Sequence, residues 1–516
     1  MTAGVEVVKE RTYGGWRRPA SPGVGPLKLI PTVGLMAGLG ATLLVSMAAG
    51  LWWALAFAFV AVAVAGPAVV PFRGRPLYAE WGRGLRWRRH ARRGRHLYRS
   101  GLAGVAPSGT RALPGLLAKV RTWQASDAVG RDFALVEIPA ARQWAVVLRV
   151  AAQGGALVDP DTTDVWVACW GEYLALLGQE GGVVQAAAVV ETVPDAGAQL
   201  AAHVHSQLHP DAPAFARQVA AAAAAELPAG VAETVGYVTL TFSERGLGVD
   251  RHPAGRGSER AAAAVAEEVG RRLPGLSVAL KDAGASEGLP LTVTQLARRV
   301  REAYDPAVTA ELAELDAEGL PVHVDWDDAG PSAHEETATA YRHDSGLSRT
   351  FEALAVPPGV VRDSLLARLI GPLPAAPRKR VTLLYRPVDA GKTAETVDRD
   401  YKSAINRAGR RKHLVHAHDS ADLRAAKQAT EEEADGAGVV SFSVLVTVTA
   451  VETPDQAGMA GQFDRACTAV VRAGRGARFR LSPVRGAQAA AFAAGLGIGL
   501  SLPELSVLPH VAREHL

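Results

Sequence analysis

Residues 29–72 run for 44 positions without one charged side chain, and no other feature of the 516-residue chain constrains its folding as strongly. A single helix of that length would measure about 66 Å at about 1.5 Å per residue, roughly twice the hydrocarbon core of a bilayer. One straight span is therefore excluded. A helical hairpin fits the pattern, with spans over about 29–48 and 51–70, a turn at Ala49-Gly50, and Trp52 and Trp53 where an interfacial aromatic is favoured. Pro31, Pro67 and Pro71 sit near the outer ends, where a missing N–H does least harm. A cleaved signal peptide has a much shorter apolar core and starts nearer the N-terminus, so that reading fails.

The formal charge is +4, from 56 Lys+Arg against 52 Asp+Glu, but it is unevenly spread. Residues 1–28 hold five basic and two acidic side chains, residues 73–99 hold ten Arg and one Glu, and residues 100–516 hold 41 basic and 49 acidic. The body is thus acidic by 8, and a generally basic nucleic-acid binder is excluded. Basic flanks on both sides of the apolar run place both termini, and the whole body, in the cytoplasm of a plasma-membrane protein with two spans. Two cysteines, Cys169 and Cys467, form neither a disulfide framework nor a cysteine zinc site and suit a reducing compartment.

The Arg-rich stretch supplies a candidate lipid-binding belt: Arg83, Arg86, Arg88, Arg89, Arg92, Arg93 and Arg95, interleaved with Trp81, Leu85 and Trp87. Anionic headgroups attract such residues by about 1 kcal/mol each. Arg and aromatic side chains also suit phosphates and stacked bases, so DNA is the sharper alternative. The position directly after an apolar segment favours lipid.

Beyond residue 130 the hydrophobic period alternates between strand and helix. Strands are expected at 133–138, 144–150, 164–170, 182–192, 235–243, 276–281, 380–386, 439–451 and 478–482. Helices are expected at 199–227, broken at His209-Pro210, at 258–273, stopped by Pro274, and at 292–304, 394–408, 456–471 and 487–496. The order strand–helix–strand–helix occurs twice. The expected fold class is α+β: an N-terminal two-helix transmembrane hairpin followed by cytoplasmic ferredoxin-like α/β sandwich repeats. Its segments are a tail at 1–28, the hairpin at 29–72, the Arg-rich segment and linker at 73–130, and two α+β domains at 131–310 and 311–516.

Chemical motifs are weak. Ala390-Gly391-Lys392-Thr393 follows a strand as a phosphate loop does, but Arg386 stands where that motif needs its first Gly. Three clusters could suggest a metal: His203, His205 and His209; His413, His416, His418 and Asp419; and His323, Asp325, Asp327 and Asp328 with His334 and Glu335. None has ligand spacing of a recognised kind, so each reads as solvated structure. No nucleophile–base signature occurs. Catalytic, cofactor-binding and metal residues are expected to be none, and no cofactor is expected.

Several segments together carry a resemblance. Thr12-Tyr13-Gly14-Gly15-Trp16, the apolar double segment, and the stretch ending His96-Leu97-Tyr98-Arg99-Ser100-Gly101 resemble an actinobacterial family of integral membrane proteins. So do Trp326 with Ala329-Gly330-Pro331, Tyr341-Arg342-His343-Asp344-Ser345, the stretch Arg380 to Pro387, and Gln488 with Ala491-Phe492-Ala493-Ala494. The family is similar to subunits of type IV secretion or conjugation-like machines: PrgI-type double spans joined to the non-motor part of secretion ATPases. The resemblance implies a non-enzymatic scaffold, oligomeric in its assembly, that docks a separate cytoplasmic ATPase beside other membrane subunits. A membrane subunit of type VII secretion, a membrane-tethered enzyme, and DNA capture by the Arg belt are the alternatives.

Overall fold

The computed structural model describes residues 13–14, 29–53, 55–60, 71–72, 75–101, 104, 110–154, 158–195, 204, 206–209, 211–226, 232–249, 257–354, 360–409, 417–434, 438–452, 456–503 and 505. The chain forms two compact units. One comprises Met1–Gly14, Arg95–Ala390 and Ala437–Ser501, and the other Gly15–Gly94, Gly391–Gly436 and Leu502–Leu516.

The larger unit is built on a 13-stranded antiparallel sheet. Its strands are β1 (Leu97–Arg99), β2 (Arg121–Ser126), β3 (Asp132–Ile138), β4 (Gln143–Val150), β5 (Val183–Pro194), β6 (Ala232–Ser243) and β7 (Leu289–Pro290). They continue as β8 (Ala333–Glu336), β9 (Tyr341–His343), β10 (Gly346–Ala353), β11 (Lys379–Pro387), β12 (Val440–Val451) and β13 (Leu481–Pro483). The spatial order is β1-β8-β9-β10-β12-β11-β5-β6-β4-β3-β2, with β7 added to β4 and β13 to β10.

That order contains the same arrangement twice. In the first half β7-β4-β6-β5 follow a split βαβ order, extended outward by the hairpin β3-β2, and in the second half β13-β10-β12-β11 are extended by β9-β8. The halves join where β5 pairs with β11, from Lys379 opposite Thr192 to Tyr385 opposite Ala186.

Alternation sets the two faces. On β6, Val238, Leu240 and Phe242 enter one apolar cluster with Phe133, Trp144, Val146 and Leu148. On β12, Val444, Val446 and Val448 enter a second cluster with Phe351, Val381 and Phe463. The intervening Thr239, Thr241 and Thr447 face the other way, as a two-residue period requires.

Besides the one-turn helix Ala367–Ile370, the described helices of this unit are α1 (Pro160–Gln179), α2 (Ala214–Glu226), α3 (Gly257–Val278), α4 (Val293–Tyr304), α5 (Val308–Ala317), α6 (Gln456–Gly476) and α7 (Gln488–Gly495). Helices α1 and α3 contribute Tyr173, Leu177, Val265, Val269 and Leu273 to the first cluster, and α6 contributes Phe463, Cys467 and Val470 to the second. Tyr385 packs against both. The opposite face is covered by α4, α7 and the buried strip after α7.

Two local departures from expectation have clear causes. Residues 164–170 belong to helix α1, which starts with Pro160 in its first turn and buries Tyr173 and Leu177 four positions apart. Helix α3 runs through Pro274 to Val278. The carbonyl that Pro274 leaves without its helical donor, that of Gly270, accepts a hydrogen bond from the Ala128 N–H at 3.0 Å.

After α7 the sequence Gly495-Leu496-Gly497-Ile498-Gly499-Leu500-Ser501 is buried throughout. Thr382 donates to the Gly495 carbonyl at 2.7 Å, Thr239 to that of Gly497, Thr241 to that of Gly499 at 3.3 Å, and Gln185 to that of Leu500 at 3.2 Å. Side chains of β11, β6 and β5 thus satisfy a segment that crosses them. Glycine is required here: Gly497 and Gly499 have φ of +64° and +95°, and a Cβ on Gly499 would lie 2.2 Å from that of Ala145.

In the smaller unit the 44-residue uncharged run is not a spanning hairpin. It begins as a 21-residue helix, Leu29–Ala49, whose composition is diluted by Pro31, Gly34, Gly38, Gly40 and Thr42. Helix resumes after Gly50. Among the described residues no helix is long and apolar enough to cross a membrane. The expected two-span hairpin, and the plasma-membrane placement with both termini cytoplasmic that was drawn from it, are overturned. The α/β repeats expected behind it are not separate sandwiches, because their strands join in the single 13-stranded sheet. This unit also contains the helices Leu77–Arg92 and Ala417–Ala434, and most of Ala390–Gly409.

Candidate binding pocket

Several of the residues that carry the resemblance are interior. His343 is fully buried, with Nδ1 2.6 Å from the Tyr304 carbonyl and Nε2 2.8 Å from Ser348 Oγ. The carbonyl can only accept, so Nδ1 carries the proton and Ser348 donates to Nε2. Thr449, 2.8 Å from Ser348 Oγ, then donates to it. Burial lowers the His343 pKa to about 4, against the opposing pull of the Tyr304 carbonyl. The ring is neutral at pH 7.

Asp344 accepts from the Ser332 and Ala333 N–H groups and from Arg301, while Ser345 donates to Asp305. Gln488 exchanges two hydrogen bonds with the backbone of Thr350. Tyr341, pushed up by burial, reaches His334 Nδ1 at 3.0 Å. These groups hold β9, β10, α4 and α7 together.

At the join of the halves, Glu191 of β5 faces Arg380 of β11 at 2.5 Å and Arg299 of α4 at 3.0 Å. Burial alone would raise its carboxyl, but the two guanidinium groups hold it at about 2. Arg299 also donates to the Leu496 carbonyl at 2.7 Å and lies over the Tyr237 ring at 3.8 Å.

The other sequence candidates do not converge. Strand β11 ends at Pro387 and the next helix begins at Ala390, so Ala390-Gly391-Lys392-Thr393 is a helix start with only residues 388–389 before it. The Val388 N–H is bonded to the Val439 carbonyl at 2.8 Å, and the chain here has no room for a phosphate-cradling loop. His203, His205, His413 and His416 lie outside the described residues, as do the side chains of His418 and Asp419. His209 is exposed beside Asp211. His323 is exposed between Thr294 and Asp325, Asp328 accepts from the Arg111 N–H, and His334 is buried against Tyr98. Among the described residues no group of three or more His, Cys, Asp or Glu is arranged to hold a metal ion.

The Arg belt occupies the helix Leu77–Arg92 and the turn after it. Arg83 is paired with Glu80, while Arg86, Arg88, Arg89, Arg92, Arg93 and Arg95 are exposed.

A pocket of about 480 Å³ opens between α6, β10 and β13. Its floor is apolar, from Phe351, Cys467, Val471, Leu481 and Pro483, and its rim carries Arg349, Arg472 and Arg475 with Asp464 and Thr468. Arg349 lies over the Phe463 ring at 4.9 Å, donates through Nε to the Thr339 carbonyl at 3.1 Å, and reaches Asp464 at 3.4 Å. Burial pushes the Cys467 thiol up to about 11, so it is a neutral wall and not a nucleophile at pH 7. Sequence reasoning missed these residues. The helix was expected to stop at 471, before Gly474 and Gly476, which left Arg472 and Arg475 outside it.

The family comparison matches residues 20–79 to a domain of unknown function, DUF8461. No curated protein matches the chain.

Proposed function

We propose that the protein is a non-enzymatic scaffold of a secretion- or conjugation-like apparatus, whose work is to dock a separate ATPase. The observation that carries this reading is the fate of its residues of catalytic type. Glu191 is held between Arg299 and Arg380, His343 between Tyr304 and Ser348, and Asp344 by Arg301 and two backbone N–H groups. Each sits in the interior as a structural tie. The one sequence with a nucleotide-binding look, around Lys392, starts a helix after a two-residue connection. Both features suit a body selected for a persistent shape, and the resemblance of its interior residues to the non-motor part of secretion ATPases points the same way.

The test is association with a secretion- or conjugation-type ATPase from the same organism. The full chain and that ATPase, purified separately and mixed, are expected to sediment together, and the chain alone is expected to leave ATP unhydrolysed. Independent sedimentation at all concentrations sinks the proposal, as does hydrolysis by the chain alone that an alanine at a single residue removes.

A further inference from the structure

We infer that the pocket between α6, β10 and β13 binds a small organic anion, with a phosphate or carboxylate head on Arg349, Arg472 and Arg475 and an apolar body against Phe351, Leu481 and Pro483. This does not depend on the docking reading.

Charge is the first argument. Three guanidinium groups and one carboxylate line the pocket, a local excess of two positive charges on a unit whose sequence is acidic overall. Among the described residues no carboxylate pairs with Arg472 or Arg475. Arg349 is held in place by the Phe463 ring and the Thr339 carbonyl, while its carboxylate neighbour Asp464 is 71% exposed and 3.4 Å away. A positioned, half-buried guanidinium with so weak a counter-charge favours an incoming anion, and its planar fork suits phosphate or carboxylate.

Shape is the second. The pocket is open to solvent on one side, and its volume of about 480 Å³ is of the size that small ligands occupy. An extended peptide would need a free strand edge, and this one is occupied. β10 pairs with β9 from Gly346 to Ser348 and with β13 from Phe351 to Ala353, while between them the Thr350 N–H and carbonyl are taken by Gln488 and Val484. Strand addition to β10 is closed off.

The first half of the sheet shows that the pocket is not a necessary product of the arrangement. There α3 packs against the outer strands β2 and β3, and its Arg271 and Arg272 are both paired with Glu268. In the second half the corresponding outer strands are four and three residues long, and among the described residues no carboxylate pairs with the arginines of α6.

The experiment is calorimetric titration of the full chain with 2-naphthyl phosphate, with inorganic phosphate, 2-naphthol and an acidic Asp/Glu/Phe peptide as comparison probes. We expect one saturable site for 2-naphthyl phosphate, at least about tenfold weaker binding of each comparison probe, and a loss of at least about tenfold on combining Arg472→Glu with Arg475→Glu. Both side chains are exposed, so the fold should survive, which circular dichroism checks. Thr468→Trp, which fills the pocket without changing charge, should also abolish binding. Absence of a saturable site overturns the inference, as does indifference to both sets of substitutions. Inorganic phosphate binding as tightly as the naphthyl ester removes the apolar half of the site, and tighter binding of the peptide replaces a small ligand by a protein partner.

Discussion

The two halves of the sheet follow one strand order and end differently. In the first, the outer hairpin strands β2 and β3 are six and seven residues long, β3 is buried from Phe133 to Ile138, and helix α3 lies against both strands. In the second, β8 and β9 have four and three residues, and helix α6 packs instead on β12, β13 and the short helix Ala367–Ile370. The repeated arrangement supplies the framework, and the truncated hairpin leaves the side of α6 that carries Arg472 and Arg475 uncovered. A fold duplicated in order has thus become asymmetric in what it can bind.

The join of the halves should give the largest effect. Replacing Glu191 by Ala leaves Arg299 and Arg380 buried without a counter-charge, and such losses cost about 3–5 kcal/mol. Urea unfolding of the variant should show a midpoint far below that of the parent. A loss under about 1 kcal/mol would break the claim that β5 and β11 are pinned by charge.

The halves should also part in acid. The buried histidines His334 and His343 both belong to the second half. His343 binds its proton only near pH 4 when folded, against about 6.5 when unfolded, so the unfolded chain takes up more protons between those values. Its contribution is complete above pH 6.5 and is lost as pH falls toward 4, by up to about 3 kcal/mol. Glu191, lowered from 4.5 to about 2, adds a second loss below pH 4.5. His343→Gln should flatten the upper window and spare the lower one. An unchanged slope between pH 6.5 and 4 would place the titrating group elsewhere.

Much of the framework was legible in the sequence. Alternation exposed β6 and β12, and the helix expected over 292–304 is α4, whose start the structure closes with a reciprocal cap in which Thr292 accepts from the Gln295 N–H and Gln295 from the Thr292 N–H. The failures have physical sources. Absence of charge over residues 29–72 measures composition, whereas a span needs a helix that is both long and strongly apolar, and among the described residues none meets both conditions. Pro274 ends a helix only if the carbonyl four residues earlier is left unpaired, and Ala128 pairs it from far along the chain. The pairing of β5 with β11, and with it the value of Glu191, is set by contacts about two hundred residues apart, from Thr192 to Lys379. The pocket depends on how short β8 and β9 are, and no residue within it announces that.

The strip that runs from the second half onto the first gives a smaller effect. Gly499→Ala brings a Cβ to 2.2 Å from that of Ala145 at a φ of +95°, and should cost about 2–3 kcal/mol. Gly248, in a first-half turn at φ +70° with open space around it, should lose only about 1 kcal/mol on the same change. Equal losses would show that backbone strain dominates and that the strip is not pressed onto β4.

The smallest difference bears most directly on the asymmetry. Arg272 of α3 reaches Glu268, Glu180 and the Gly181 carbonyl, and its side chain is 22% exposed. Arg475 of α6 is exposed, and no carboxylate pairs with it among the described residues. Arg272→Ala should therefore cost about 1 kcal/mol, while Arg475→Ala should fall within about 0.5 kcal/mol of the parent, both read as shifts in urea midpoint. An arginine retained for the fold would behave as Arg272 does. If Arg475→Ala proves the more destabilising of the two, the side chain is holding α6 in place, and the unpaired rim of the pocket is structure rather than a site.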